Sequence, residues 1–329
     1  MKIVYRHFIL LTVLLILATG CATPKITLVS GDAIPLKEYT LQGTQKGKVL
    51  VIPLKGKISD NPKLGLLSKK PSMVQEIVSQ LRKAEKDSRV RAVLLKIDSP
   101  GGSVTASDLL YHEISEYKKR TGAKVVVAMM NIAASGGYYS ALPADFNVAH
   151  PTSITGSVGV NFLQPRISSL LEKIGVGVDV KTSGKYKDMG SMFREESEAE
   201  REILQDLTDQ LGKRFIELVR TNRNLDEKAL AETASARIFL ADEALALRLI
   251  DQVGYLSDAI TKAKDLAGLP TDAKVVVYRR VEYPNDTLYN TRITAGSDQK
   301  LTLVDIDLMK AAGDMQAGFY YLWPTAAGE

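Results

Sequence analysis

Cysteine and histidine are scarce in this 329-residue chain, which has one cysteine, Cys21, and three histidines, His7, His112 and His150. A single thiol excludes an intramolecular disulfide. So few imidazoles make a histidine-based catalytic triad hard to assemble. Excess charge is missing too: 43 basic residues face 38 acidic ones, a net of +5. Without Lys2 and Arg6 the balance falls to 41 against 38. The longest basic run, Lys118-Lys119-Arg120, is short, and the pairs Lys69-Lys70, Arg82-Lys83, Lys213-Arg214 and Arg279-Arg280 are dispersed. That pattern reads as solvated faces and excludes a nucleic-acid footprint. No repeat of solenoid length is present.

The apolar stretch at the start is too short to span a bilayer with its flanks. Lys2 and Arg6 precede Phe8 to Ala18, which is apolar except for Thr12. This is the layout of a secretory signal. It runs into Leu17-Ala18-Thr19-Gly20-Cys21 and so resembles a bacterial lipoprotein signal, in which the cysteine is lipidated and becomes the new N-terminus. The expected divisions are a signal over residues 1–20, a lipidated Cys21 with a tether to residue 46, a folded domain over 47–268 and a C-terminal extension over 269–329. A lipid on Cys21 would hold the protein to the cell envelope, facing the periplasm, and would remove its thiol as a nucleophile. Ala22 stands where an aspartate retains some lipoproteins at the inner membrane.

From Val49 onward, strand-length apolar runs alternate with helical spacings. Val49–Leu54, Val90–Ile97 and Val125–Met130 show little alternation, which suits strands covered on both faces. Between them, Met73, Ile77, Leu81 and Ala84 recur at helical spacing, as do Leu110, Ile114 and Tyr117. The pattern predicts an α/β domain with a mainly parallel sheet. Further strands are expected at Asp145–His150, Val176–Lys181 and Val275–Arg280, with a loop over Pro151–Gly159. Helices are expected over Ile203–Leu218, Ala229–Ala234, Asp242–Arg248 and Leu256–Leu266. The segment Gly318-Phe319-Tyr320-Tyr321-Leu322-Trp323-Pro324 is unusually aromatic and is read as docking on its own domain, on a neighbouring subunit or on a membrane.

Two glycine-flanked corners carry the chemistry. Asp98-Ser99-Pro100-Gly101-Gly102 and Ala133-Ala134-Ser135-Gly136-Gly137 each follow an apolar run, an arrangement that exposes a hydroxyl and aims backbone N–H groups at a developing oxyanion. A serine hydroxyl needs a base. His112 lies on a predicted helix and His150 ends a strand, and no acidic partner completes a triad with either. Lysine is the alternative, because burial disfavours the ammonium and brings its pKa toward neutrality. Spacing alone does not separate Lys185 from Lys187, and Asp188 must turn away from Lys187 for that lysine to work.

Four ordered motifs resemble the bacterial signal peptide peptidase A family. They are Asp98–Ser103, Ala133–Tyr139, Thr155-Gly156-Ser157-Val158-Gly159-Val160 and Ser183-Gly184-Lys185-Tyr186-Lys187-Asp188, within a similarity running from about Val49 to Gly254. The resemblance implies a ClpP/crotonase-like fold and a membrane-associated serine endopeptidase with a Ser/Lys dyad. It further implies Ser135 as nucleophile, Lys187 as general base, Ser157 as the lysine-orienting partner, and the N–H groups of Gly101 and Gly136 as oxyanion hole. Peptide substrates, no metal or cofactor, and a homo-oligomeric ring with sites shared between copies are also implied. An inactive lipoprotein scaffold and a crotonase-type acyl-transfer enzyme are the competing readings. Asn131, Ile132, Ala236 and Arg248 depart from the family's pattern, the last two standing in for glycines.

Overall fold

The computed structural model describes residues 34–64, 69–290 and 317–324. The expected signal segment and Cys21 lie outside the described residues. Among the described residues, no helix is long and apolar enough to cross a membrane.

The strands are β1 (Lys37–Gln42), β2 (Gln45–Lys55), β3 (Lys63–Leu64), β4 (Lys69–Lys70), β5 (Val90–Ser99), β6 (Gly101–Ser103) and β7 (Lys124–Ala134). They continue as β8 (Phe146–Ala149), β9 (Ile154–Gly156), β10 (Asn161–Leu163), β11 (Ile238–Leu240), β12 (Gln252–Val253), β13 (Ala273–Arg279) and β14 (Gly318–Leu322). The helices are α1 (Met73–Glu85), α2 (Val104–Thr121), α3 (Gly136–Ala141), α4 (Ser168–Lys173), α5 (Glu198–Arg223), α6 (Glu227–Ala234), α7 (Ala241–Ala246) and α8 (Leu256–Leu266). The main sheet runs β1-β13-β2-β5-β7-β8-β12, with β9 paired to β7 and β11 to β9. Every pairing in it is parallel except β1 with β13 and β11 with β9.

The apolar runs do not alternate because both faces of the sheet are covered. On one face Leu50, Ile52, Leu95 and Val127 pack with Ile77 and Leu81 of α1, Leu110 and Ile114 of α2, and Phe215 of α5. On the other, Val49, Val51, Leu94 and Val126 meet Leu256, Ala259, Ile260 and Ala263 of α8. Each such aliphatic side chain contributes about 1.5–3 kcal/mol by leaving water. Local signals set the helix ends. Ser103 Oγ accepts the Ala106 N–H at the start of α2, left-handed Gly122 stops it, and Ser197 and Glu200 form a reciprocal capping box on α5.

The sheet reaches beyond the expected 47–268. Residues 37–42, expected in the tether, form the edge strand β1, and residues 273–279, expected in an extension, lie between β1 and β2. Only one side of β1 is half-buried, through Tyr39 and Leu41 packed on the second core, so its apolar signal is weak. The loop over 151–159 contains β9. Residues 176–181 form no strand, and all are exposed. Their alternating valines have strand propensity, but a strand also needs a ladder partner. Gly318–Leu322 forms β14 between β10 and β6 in a second, three-stranded sheet, so the aromatic segment docks on its own domain.

Ala236 and Arg248, which replace expected glycines, hold φ angles of 60° and 59°. A Cβ in that region is crowded by the backbone, and both residues are exposed, so little packing compensates. Ala236→Gly and Arg248→Gly are each expected to raise unfolding free energy by roughly 0.5–1 kcal/mol in urea titrations.

Candidate active site

The serine corner arises where β7 changes partners. Met129 faces Ile97 of β5 but Ala133 faces Ser99, so two extra residues of β7 are accommodated across this slip. There β7 leaves β8, its partner through Met129, and takes β9 from Ile132 to Ala134. Asn131 and Ile132 lie in the slip. Ser135 then turns the chain into α3 with φ 53° and ψ −117°, a backbone conformation costly for a residue with a Cβ. Its N–H donates to Gly156 O at 2.8 Å, and its carbonyl accepts the Tyr139 N–H at 2.8 Å. Ser135 is 1% exposed, and its Oγ has no hydrogen-bond partner among the described residues.

Buried tyrosines hold α3 beneath the serine. The Tyr138 hydroxyl donates to Leu249 O at 2.7 Å, and the Tyr139 hydroxyl to Asp108 Oδ1 at 2.6 Å. Burial raises the pKa of both phenols, so both remain neutral donors.

The second glycine corner touches the first. Gly101 has φ 102°, and a Cβ built on it would lie 2.7 Å from the Gly136 nitrogen. Only glycine permits this approach. Ser99, which sequence reasoning passed over, fixes the corner: its Oγ donates to Gly56 O at 2.8 Å and accepts the Gly101 N–H at 3.1 Å. The Gly101 N–H, expected in an oxyanion hole, is thus turned onto Ser99, while Gly101 O and Ser103 N–H both bond to Ile58 and the opposite edge of Gly102 pairs with Tyr321 of β14. A buried serine two residues before a glycine pair was the available signal, but hydroxyls so placed are common turn residues.

Ser157 follows Gly156, the backbone partner of Ser135, and has φ 52°. Its N–H donates to Arg237 O at 2.8 Å, and it is half-buried. The strand pairing therefore places Ser157 beside the serine corner. The two lysines are not brought there. Lys187 is exposed in the turn after Gly184, to whose carbonyl its N–H donates at 3.1 Å. Lys185 Nζ lies 4.8 Å over the Tyr186 ring. His112 is exposed on α2, and His150 Nδ1 pairs with Thr152 Oγ1 at 2.9 Å, so neither is the partner of Ser135.

Asp188 turns away from Lys187. Its two oxygens accept from Arg194 Nε and Nη2, each at 2.8 Å, and the guanidinium also meets Glu200 at 2.8 and 2.5 Å. The Arg194 bonds hold the Asp188 carboxyl below its ordinary range. Arg194, followed by the Ser197 N–H, brings Glu200 down to about 2. This clamp ties the lysine turn to the capping box of α5.

Residues 117–270 match the family model described as Peptidase family S49, and residues 67–148 match the model for Clp protease. A protein assigned as signal peptide peptidase SppA in Enterococcus faecium is 36% identical over 253 residues, covering 77% of this chain and 72% of that one. One assigned as a protease in Synechocystis is 37% identical over 234 residues, 71% of this chain and 82% of that one. The chain belongs to peptidase family S49. Protease 4 of Haemophilus influenzae is 31% identical over 253 residues, which make up 77% of this chain but 40% of that one. The S49 membership makes the chain a serine peptidase, and the Clp protease match agrees with its strand–helix units on a mainly parallel sheet.

In this S49 chain the Arg194 clamp is open to test. Arg194→Ala removes the guanidinium from both carboxylates and is expected to lower unfolding free energy at pH 7 by about 1–3 kcal/mol in urea titrations, with a smaller loss at pH 3, where Asp188 gives up part of its charge. An equal loss at both pH values would assign the effect to lost packing of the arginine stem. Because Glu200 titrates lower folded than unfolded, the clamp contributes stability above its ordinary pKa of 4.5, and that contribution is lost as pH falls toward about 2.

Proposed function

We propose that this S49 chain is an envelope-anchored serine endopeptidase that uses Ser135 as nucleophile and Lys187, from an adjacent copy, as general base. The observation that carries the reading is the Ser135 hydroxyl: strained, buried, unpartnered within the described chain and set against two glycine backbones. A buried hydroxyl without a partner costs about 1–3 kcal/mol, and such a cost persists where the group has a role.

The neutral Lys187 amine takes the proton as Ser135 Oγ attacks the substrate carbonyl carbon. The N–H groups of Gly136 and Gly102 receive the oxyanion. When the C–N bond breaks, the lysine ammonium returns its proton to the leaving amine, and water, deprotonated in turn by the lysine, hydrolyses the ester. Ser157 holds the amine in line. An exposed apolar stretch comprising Leu170, Ile174, Val176, Val178 and Val180 precedes Lys187, which suits burial against a neighbouring copy in a ring. Substrates are cleaved signal peptides and other short or unfolded segments, presented on the periplasmic side by a lipid on Cys21.

A serine-directed fluorophosphonate should label the assembled protein at Ser135. Assembled protein that takes no label and cleaves no peptide would overturn the reading.

A further inference from the structure

Two buried hydroxyls outside the proposed dyad hold the backbone that leads into the serine corner. Across the slip, β7 carries two more residues than β5 between Met129 and Ala133 and changes its other partner from β8 to β9, so a regular ladder cannot serve every carbonyl there. A buried carbonyl in such a stretch needs a donor from elsewhere. Side chains that follow β8 supply two. Ser153 Oγ donates to Met129 O at 2.8 Å and also reaches Met130 O, its one proton shared between them. Thr155 Oγ1 donates to Ala133 O at 2.7 Å. Both residues are 0% exposed, so solvent does not compete for either hydroxyl.

The two bonds bracket the slip. Ser153 is itself fixed by a turn in which its N–H donates to His150 O at 2.8 Å, while the His150 N–H donates to Met129 O at 2.9 Å. Thr155 lies opposite Ala133 in the ladder, next to Gly156, whose carbonyl takes the Ser135 N–H at 2.8 Å. On the β5 side, Asp98 Oδ1 accepts the Ile132 N–H at 3.4 Å. Side chains therefore set the peptide planes on both sides of the extra residues before the chain reaches Ser135 and its φ of 53°. A conformation of that kind persists only where its surroundings over-determine it. Loss of the Thr155 hydroxyl would free the Ala133 carbonyl to rotate, and Ser135 would relax toward ordinary backbone angles. Its Oγ and the Gly136 N–H would shift together, because one peptide bond joins the two residues.

We infer that Thr155 and Ser153 are positioning residues for the nucleophile: their hydroxyls hold the β7 slip in the arrangement that presents Ser135 Oγ and the Gly136 N–H to one substrate carbonyl. This rests on the peptidase reading and adds to it the groups that keep the serine strained. Neither hydroxyl has a part in the proton transfers.

The test uses the full assembled chain and separates the hydroxyl from the rest of the side chain. Thr155→Val keeps the volume and removes the hydroxyl, whereas Thr155→Ser keeps the hydroxyl and removes a buried methyl group. For Thr155→Val, kcat on a peptide substrate is expected to fall on the order of 30-fold with KM within about twofold of wild type, since a displaced nucleophile impairs attack without removing a substrate contact. Thr155→Ser should keep kcat within about threefold of wild type although its lost methyl lowers the melting temperature. Ser153→Ala, at the other end of the slip, should lower kcat about 10-fold at unchanged KM, and it supplies the same test where Thr155→Val does not assemble. A merely structural role would make kcat follow the melting temperature instead. If wild type takes the fluorophosphonate at Ser135 but Thr155→Val and Ser153→Ala turn over within about twofold of it, or Thr155→Ser loses as much kcat as Thr155→Val, the positioning role is overturned and the peptidase reading stands. If wild type shows neither label nor cleavage, both fall.

Discussion

Ser135→Ala is expected to reduce kcat/KM on a peptide substrate by at least about 10⁴-fold while leaving the fold as stable as before or slightly more so. The kinetic effect follows from the proposed role of Ser135: without its hydroxyl the oxyanion donors alone would retain a small part of the catalysis. The stability effect has a separate cause. Ser135 Oγ is buried without a hydrogen-bond partner, so its removal relieves a desolvation cost, and alanine occupies the same φ of 53° at no greater steric cost. Peptide assays and thermal melts on the same preparation check both halves. Loss of activity accompanied by a large fall in melting temperature would make the serine structural, and retained activity would place the nucleophile elsewhere.

Lys187→Met is expected to cost about 10³–10⁴-fold in kcat/KM, while Lys185→Ala stays near the wild-type value. In a single chain Lys187 is exposed and does not bond Ser135, so its substitution disturbs no packing there. On the proposed shared site, its effect depends on assembly. When Ser135→Ala and Lys187→Met chains are co-assembled at equal ratio, about one interface in four would combine an intact serine with an intact lysine, because a head-to-tail contact would draw the two from different copies. Activity should return to about a quarter of wild type, although each variant alone is inactive. A mixture as inactive as its parents would place serine and lysine in the same chain. Loss on Lys185→Ala with full activity in Lys187→Met would reverse the choice of base.

Much of this site was legible in one dimension because its parts are short-range. Glycines next to a serine after an apolar run announce a strand-to-helix corner, since no other residue lets the backbone approach so closely. Asp188 shows the limit of that reading. From its position it could pair with Lys187, and only the fold shows it bonded to Arg194, six residues on, which also holds Glu200 of α5. The two glycines of the first corner had the same limit. Gly101 and Gly102 are indistinguishable in sequence, and only the fold shows the Ser99 hydroxyl taking the Gly101 N–H. The glycine-replacing Ala236 and Arg248 could be noticed by resemblance, but their positive φ angles came from the folded backbone.

By itself, the sequence determined the strand–helix alternation of the central sheet from Val49 to Met130, the two glycine-flanked corners and the exclusion of an intramolecular disulfide, and it named Ser135, Lys185 and Lys187 as candidates. Those are properties of local pattern and composition. The tertiary structure decided that residues 37–42 and 273–279 complete the sheet, that the expected strand at 176–181 lacks a partner, and that Lys187 stands apart from Ser135 within one chain. It also decided that an aromatic strand from residues 318–322 lies against the serine corner. Each of these depends on which backbone edges and side chains meet across long stretches of chain. Hydrogen-bond satisfaction and burial set those meetings, and periodicity does not encode them.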